Sequence, residues 1–403
     1  MNAPLAPTLL RVIDRLLPEL IDVRRDLHAH PELSFEEHRT TEVIRERLTG
    51  ADLRISTVSD TGLVVDLGDE QPLRRVALRG DIDALPVTER TGLDWSSTRP
   101  GACHACGHDV HTTVLLGAAL ALSEVAQELA ARRVGVRLIF QPAEEKMPGG
   151  AASLVSAGVM SGVDTAYAVH CDPSIDVGEV GLREGPLTAA ADRFVVSVRG
   201  SGGHTSRPHL TQDLTFALAK IVTEVPAILS RRLDPRSGAV LVWGRVAAGE
   251  TNNVIPSTGV AEGTIRLLDA SLWEGIGPLL TEVVEAVAAP YQVAVHVDFV
   301  RGVPPVVNDP GAIAALGRAA MSAGLRPVPT PQSLGGEDFA WMLHEAEGAM
   351  ARLGTRTPGG RTYDLHQGDL VVDEQAVRAG TALLTLAAAG EWTRVDHGPV
   401  PVS

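Results

Sequence analysis

Apolar positions recur at helical spacing over residues 9–27 and again over residues 38–49, predicting two amphipathic helices at the start of the chain. Four short apolar runs follow, Gly62–Leu67, Val76–Arg79, Val134–Phe140 and Thr165–His170, each bounded by Gly, Pro or charge. They read as strands. Between the second and third lies an apolar stretch from Thr112 to Leu129, which reads as a helix with Asp109 near its start as a cap. Strands alternating with helices imply an α/β layer whose sheet is substantially parallel.

From about residue 190 the pattern changes. Phe194–Arg199 reads as a strand, Asp213–Leu229 as a helix, Ala239–Val246 and Val260–Leu267 as strands, Ser271–Ala289 as a helix and Gln292–Val300 as a strand. The order βαββαβ is the ferredoxin-like unit. The expected organisation is therefore an α/β domain over residues 1–188 and 302–403, with a ferredoxin-like domain inserted over residues 189–301. Gly302-Val303-Pro304-Pro305 reads as the return linker. A final α/β stretch carries Gly335-Gly336-Glu337-Asp338-Phe339, His366 and a last helix near Glu374–Ala389. The tail beyond about Trp392 shows no periodicity.

Composition narrows the class. A chain of 403 residues suits two domains, and 44% hydrophobic with 21% charged residues is ordinary for a globular protein. The net charge of -15 argues against nucleic acid or anionic membrane as a partner. It leaves an anionic small substrate open, because a buried metal and a few arginines reverse the local field. No run approaches the ~20 apolar residues of a membrane span. No basic region followed by an apolar core marks a secretory signal. Three cysteines make no disulfide framework, which fits a reducing cytoplasm. Lys146 and Lys220 are the only lysines, a compositional bias without functional content.

Chemistry concentrates between Cys103 and His111, where two thiols, three imidazoles and a carboxylate fall within nine residues. These side chains hold borderline-soft divalent metals. Cys103-His104-Ala105-Cys106 alone also admits a redox pair or half of a structural zinc site. Cys106-Gly107-His108 is sharper, since a turn at glycine lets two ligands face one cation. Asp81 and Asp83 follow one predicted strand, Glu144 and Glu145 follow another, and His170 ends a third. Ligands bind beyond the carboxyl ends of strands in open α/β sheets. The acidic pair alone reads as a solvated surface turn; placed after an apolar strand, one carboxylate could instead ligate a metal while its neighbour takes a proton from a metal-bound water. His170 and His366 gain weight only as members of this set.

These residues carry a resemblance. Arg25-Asp-Leu-His-Ala-His-Pro-Glu-Leu-Ser-Phe35, Gly80-Asp-Ile-Asp-Ala-Leu-Pro86 and His104-Ala-Cys-Gly-His-Asp-Val-His-Thr112 come first. Gln141-Pro-Ala-Glu-Glu145, Gly202-Gly-His-Thr-Ser-Arg-Pro-His209 and Asn253-Val-Ile-Pro256 follow in order. From about residue 10 to residue 390 the chain resembles the peptidase M20 family. It is most similar to the amidohydrolase branch that cleaves N-acyl-amino acids, hippurate and auxin conjugates.

The resemblance implies a two-metal catalytic domain with an inserted lid that also forms a homodimer interface. By motif position it implies Cys106, His108, Glu145, His170 and His366 as metal ligands, with zinc or manganese bound and cobalt tolerated. It implies Glu144 as general base, His204 from the partner subunit's lid as oxyanion donor, and Asn253 and Arg266 as substrate-binding residues. Asp83 would orient a ligand. The implied activity is hydrolysis of an N-acyl-L-amino acid to a carboxylic acid and a free amino acid. A dipeptidase or aminopeptidase of the same family, or a non-catalytic metal-binding protein, is the alternative. The chain departs from the family at Cys103, at Lys146-Met147-Pro148, where a glycine-rich run is common, and at Leu365-His366-Gln367-Gly368.

Overall fold

The computed structural model describes residues 4–390, so the tail beyond Trp392 lies outside the described residues. The chain forms two compact units. One comprises the chain up to Gly185, Asn308–Thr330 and the residues from Met342 onward. The other comprises Pro186–Val307 and Pro331–Trp341.

The first unit is built on an eight-stranded sheet. Its order is Arg54–Ser56, Leu63–Gly68, Val134–Gln141, Arg74–Asp81, Thr165–Asp176, Glu347–Arg356, Glu179–Leu182 and Arg326–Pro329. The strand Arg74–Asp81 runs parallel to both of its neighbours, and Thr165–Asp176 runs parallel to Glu347–Arg356. Antiparallel pairs occur towards the edges. The central strands are buried along most of their length, as a sheet covered on both faces requires.

The helix His108–Ser123 is almost wholly buried, between Ala6–Ala29 and Gln375–Ala389 on one side and the sheet on the other. Gly117 permits the close approach: a Cβ there would stand 2.7 Å from Leu20 Cδ1 and 2.9 Å from Thr381 Oγ1.

Several expectations need correction. The stretch Thr112–Leu129 is two helices, His108–Ser123 and Ala126–Ala131, separated at Glu124 and Val125. His170 does not end its strand, which continues to Asp176 because Cys171, Asp172 and Asp176 pair with Leu353, Gly354 and Arg356. The strand Arg74–Asp81 stops short beside it, with pairing to Thr165–Asp176 ending at Arg79 and Ala168. The Gly302–Pro305 linker is half strand, since Ala294–Val303 runs through Gly302 and Val303.

The second unit carries a four-stranded antiparallel sheet in the order Val240–Ala248, Thr258–Leu267, Ala190–Arg199 and Ala294–Val303. The helices Leu214–Arg232 and Ile276–Ala288 bury Ile221, Val225, Leu280 and Val284 in its core. Chain order and strand order are those of the ferredoxin-like unit. The expected helix Ser271–Ala289 divides into Ala270–Trp273, capped by Asp269, and Ile276–Ala288, which begins after Gly275.

Candidate active site

The site is organised by the turn Cys106-Gly107-His108. Gly107 precedes the helix His108–Ser123 with φ +83° and ψ 20°, the left-handed region. Its carbonyl accepts from the amides of Val110 and His111 at 2.9 and 3.2 Å. A Cβ on Gly107 would meet Cys171 Sγ at 2.8 Å, so both conformation and space require glycine. The turn places Cys106 before the helix and His108 at its first residue. Asp109 therefore lies inside the first turn and does not cap the helix, contrary to the reading above. Its Oδ2 instead accepts from Arg24 Nε at 2.7 Å and bonds His28 Nδ1 at 2.9 Å. The other ring nitrogen of His28 meets Glu89 at 3.2 Å. Burial works against charge on His28, yet Asp109 and Glu89 outweigh it and raise the imidazole to about 9.

The predicted ligands of this unit converge in overlapping groups of donor atoms, each group within 4.8 Å. Cys106, His108 and His170 form one; Cys106, Glu145 and His366 form a second; His108, Glu144 and Glu145 form a third. Cys106 Sγ lies 3.6 Å from His170 Nε2, and His366 Nε2 lies 3.3 Å from Glu145 Oε1. Cys106, His108 and His170 are buried, while His366 is 55% exposed and opens the group to solvent.

Asp83 joins the two segments that carry the predicted ligands. Its Oδ2 accepts from the Glu145 amide at 3.0 Å and from Ser34 Oγ at 2.7 Å. His108 Nδ1 donates to the Asp83 carbonyl at 2.9 Å, with Asp83 Oδ1 at 3.2 Å. That fixes a proton on Nδ1, so in the neutral ring the lone pair falls on Nε2.

The donor set fits a metal. His108 Nε2 is buried without a hydrogen-bond partner, a state a bound cation relieves. One thiol, three imidazoles and a carboxylate are the ligand types of zinc and its neighbours. The electrostatics agree. Burial pushes the Cys106 thiol up to about 12, and although burial opposes it, Asp81 and Cys106 draw His108 well above its ordinary range. Both groups therefore hold protons in the metal-free site, and a bound cation would displace them.

Left-handed backbone at non-glycine residues clusters here: Phe35 (φ 68°), Ala143 (φ 54°) and His366 (φ 60°). Such conformations cost on the order of 1–3 kcal/mol and persist where the surroundings impose them. His366 is fixed by its amide to the Ala105 carbonyl at 2.8 Å. Ala143 is fixed by its amide to Glu37 Oε1 at 2.7 Å, and Glu37 Oε2 accepts from Thr61 at 2.8 Å. The sequence assigned no role to Glu37, Ser34, Arg79 or His111. Arg79 carried a signal, because an arginine at the end of an apolar strand demands a buried partner. Glu37 and Ser34 carried none.

His204, Asn253 and Arg266 belong to the second unit. His204 pairs with Val254 across a two-stranded ribbon, and the Asn253 carbonyl accepts from the Thr205 amide at 3.2 Å. His204 Nδ1 accepts from the Ser206 amide at 3.1 Å, so the neutral ring carries its proton on Nε2. Half-buried Arg266 donates to the Leu334 carbonyl at 2.8 Å.

A candidate metal centre on an α/β sheet is what this geometry defines. The sequence profile described as peptidase family M20/M25/M40 matches residues 77–389, and the chain belongs to that family. It is 47% identical over 91% of its length to a Rhodococcus jostii protein named for a glutamate–cysteine ligase, of which it spans only 46%. It is 38% identical to the N-acetyl-L-cysteine deacetylase of Bacillus subtilis, covering 91% of this chain and 86% of that one. A solved Bacillus subtilis structure, a dinuclear metal-binding peptidase of the M20 family, superposes with a TM-score of 0.81 at 33% identity. That match covers 93% of this chain and 98% of the other. The protein is accordingly a metal-binding hydrolase acting on amide bonds.

Proposed function

We propose that the protein hydrolyses N-acyl-L-amino acids to a carboxylic acid and a free amino acid, with N-acetylcysteine the first substrate to examine. The observation that carries this reading is the convergence of Glu144 with His108 and Glu145 at the turn after Val134–Gln141. A second carboxylate beside a full ligand set has no purpose in a metal buffer, but is what proton transfer requires.

In this reading Cys106, His108, Glu145, His170 and His366 hold two divalent cations. The thiol favours zinc, while the imidazoles and carboxylate also accept manganese or cobalt. The bound cations would lower the pKa of a water and polarise the amide carbonyl. Glu144 takes the proton of the attacking water and returns it to the leaving amine. Asp83 holds His108 and Glu145 in register, so neither needs to reorganise during the reaction. The Nε2–H of the partner subunit's His204 supports the oxyanion, a contribution of roughly 3–4 kcal/mol. Arg266 and Asn253 bind the substrate, the arginine fork matching a terminal carboxylate.

The second unit would then act as a lid and as the interface of a homodimer. Its edge strand Val240–Ala248 exposes Val240, Val242 and Val246, which supports an intermolecular role. Among the described residues no helix is long and apolar enough to cross a membrane. All three cysteines are buried free thiols, which supports a cytoplasmic location.

The test is amino-acid release from N-acetyl, N-benzoyl and indole-acyl amino acids beside dipeptides, using metal-reconstituted protein. Turnover of the acylated panel supports the proposal. Turnover confined to dipeptides would replace it with a peptidase, and silence across the panel with bound metal would favour the binder.

A further inference from the structure

A chain of buried hydrogen bonds runs beneath the ligand set. Arg79, 1% exposed, donates from Nε to Gln141 Oε1 at 2.7 Å and from a terminal nitrogen to Asp81 Oδ2 at 2.6 Å. The other oxygen of Asp81 lies 2.5 Å from His111 Nδ1. His111 Nε2 in turn accepts from the Cys171 amide at 2.8 Å. Across the same residue, the Cys171 carbonyl accepts from His170 Nδ1 at 2.8 Å. The Cys171 thiol lies 3.7 Å from the Gly107 carbonyl, between Cys106 and His108.

Asp81, His108 and His111 also gather within 4.8 Å, as a ligand group would. Their bonds exclude that use. An amide N–H donates only to a lone pair, so His111 Nε2 is unprotonated and its proton sits on Nδ1, facing Asp81. Both ring nitrogens are thereby engaged, and Asp81 Oδ2 is held by a guanidinium. A cation here would stand beside Arg79 and would break two buried hydrogen bonds.

We infer that Arg79, Asp81, His111 and the Cys171 backbone form a positioning relay that sets the tautomer and aim of His170, and that none of them is a ligand. The sequence of constraints is short. Arg79 keeps the Asp81 carboxylate in place, and Asp81 holds the His111 proton on Nδ1. His111 grips the Cys171 amide, and this orients the adjoining carbonyl to receive the proton on His170 Nδ1. His170 Nε2 is left as a bare lone pair aimed at the space beside Cys106. The Cys171 thiol packs under the Gly107 turn, so one residue braces both halves of the ligand set. The inference rests on the proposed reading of His170 as a ligand.

The test uses the full chain with Co2+ as probe and three variants, His170→Ala, His111→Phe and His111→Gln. His170→Ala should lose a cobalt ion per chain. His111→Phe should keep its metal count but bind cobalt 10–100-fold more weakly, with a changed visible spectrum. His111→Gln offers both an acceptor for the Cys171 amide and a donor for Asp81, and should recover most of the affinity. In metal-free wild-type protein, nitrogen-15 histidine spectra should show both His111 and His170 protonated on Nδ1. That measurement decides the matter even if His111→Phe fails to fold. Wild-type cobalt affinity and spectrum in a folded His111→Phe protein would overturn the relay, as would a His111 ring protonated on Nε2. Undiminished cobalt content in His170→Ala would overturn the ligand reading instead, and with it the purpose of the relay.

Discussion

Replacing Gly107 by alanine should destabilise the metal-free chain. Two costs combine. A left-handed backbone conformation costs an L-residue about 1–2 kcal/mol, and Gly107 sits at φ +83°. The new Cβ would also stand 2.8 Å from Cys171 Sγ and 3.0 Å from Cys171 Cβ. Overpacking of this kind typically costs about 1–3 kcal/mol. The total, about 2–5 kcal/mol, is a large share of a domain's stability. The assay is urea unfolding of metal-free protein followed by circular dichroism, joined to hydrogen exchange at Val110 and His111, whose amides bond the Gly107 carbonyl. A double-mutant cycle with Cys171→Ala separates the terms, because it relieves the sulfur contact and leaves the backbone strain. A Gly107→Ala protein within about 0.5 kcal/mol of wild type, the range of an ordinary surface change, would refute the reasoning.

Arg24→Met should cost about 3–5 kcal/mol in urea unfolding, because it leaves Asp109 ionised and buried without its guanidinium; a loss under 1 kcal/mol would show that His28 alone suffices. The stability of metal-free protein should fall as pH rises from 6.5 through about 9, since His28 is held protonated in the fold and its contribution is complete only below the unfolded value. That contribution is on the order of 3 kcal/mol, and it should vanish in His28→Gln; parallel pH curves for the two proteins would contradict it. Arg15→Ala, which breaks an exposed pair with Glu124, should change stability by less than ~1 kcal/mol, and a larger loss would mean that this pair is more than a surface contact.

The gathering of Cys106, His108 and the Glu144-Glu145 pair was legible because these residues lie in short, dense motifs at a glycine turn and a strand end, while the choice of Glu145 as the proposed ligand came from the family resemblance. The ferredoxin-like unit was legible because its strands and helices alternate in period. Other features depend on tertiary partners. Asp109 resembles a helix cap in sequence, yet the left-handed Gly107 starts the helix early enough to turn that carboxylate to Arg24 and His28. The extension of the strand past His170 is imposed by Glu347–Arg356, whose own apolar run is interrupted by Arg352 and gave no strand signal. His111 stood inside a quoted motif without a role, since its importance comes from Asp81 and from the amide of Cys171, 60 residues away.

The central claim is that Glu144 moves the proton in a metal-dependent amide hydrolysis. The most direct measurement is amino-acid release by wild-type protein and by Glu144→Gln, with metal content determined on the same samples. The account predicts equal metal content and a fall in kcat of at least 100-fold, the lower range for loss of a general base. Equal metal content with kcat within a few-fold of wild type would contradict it.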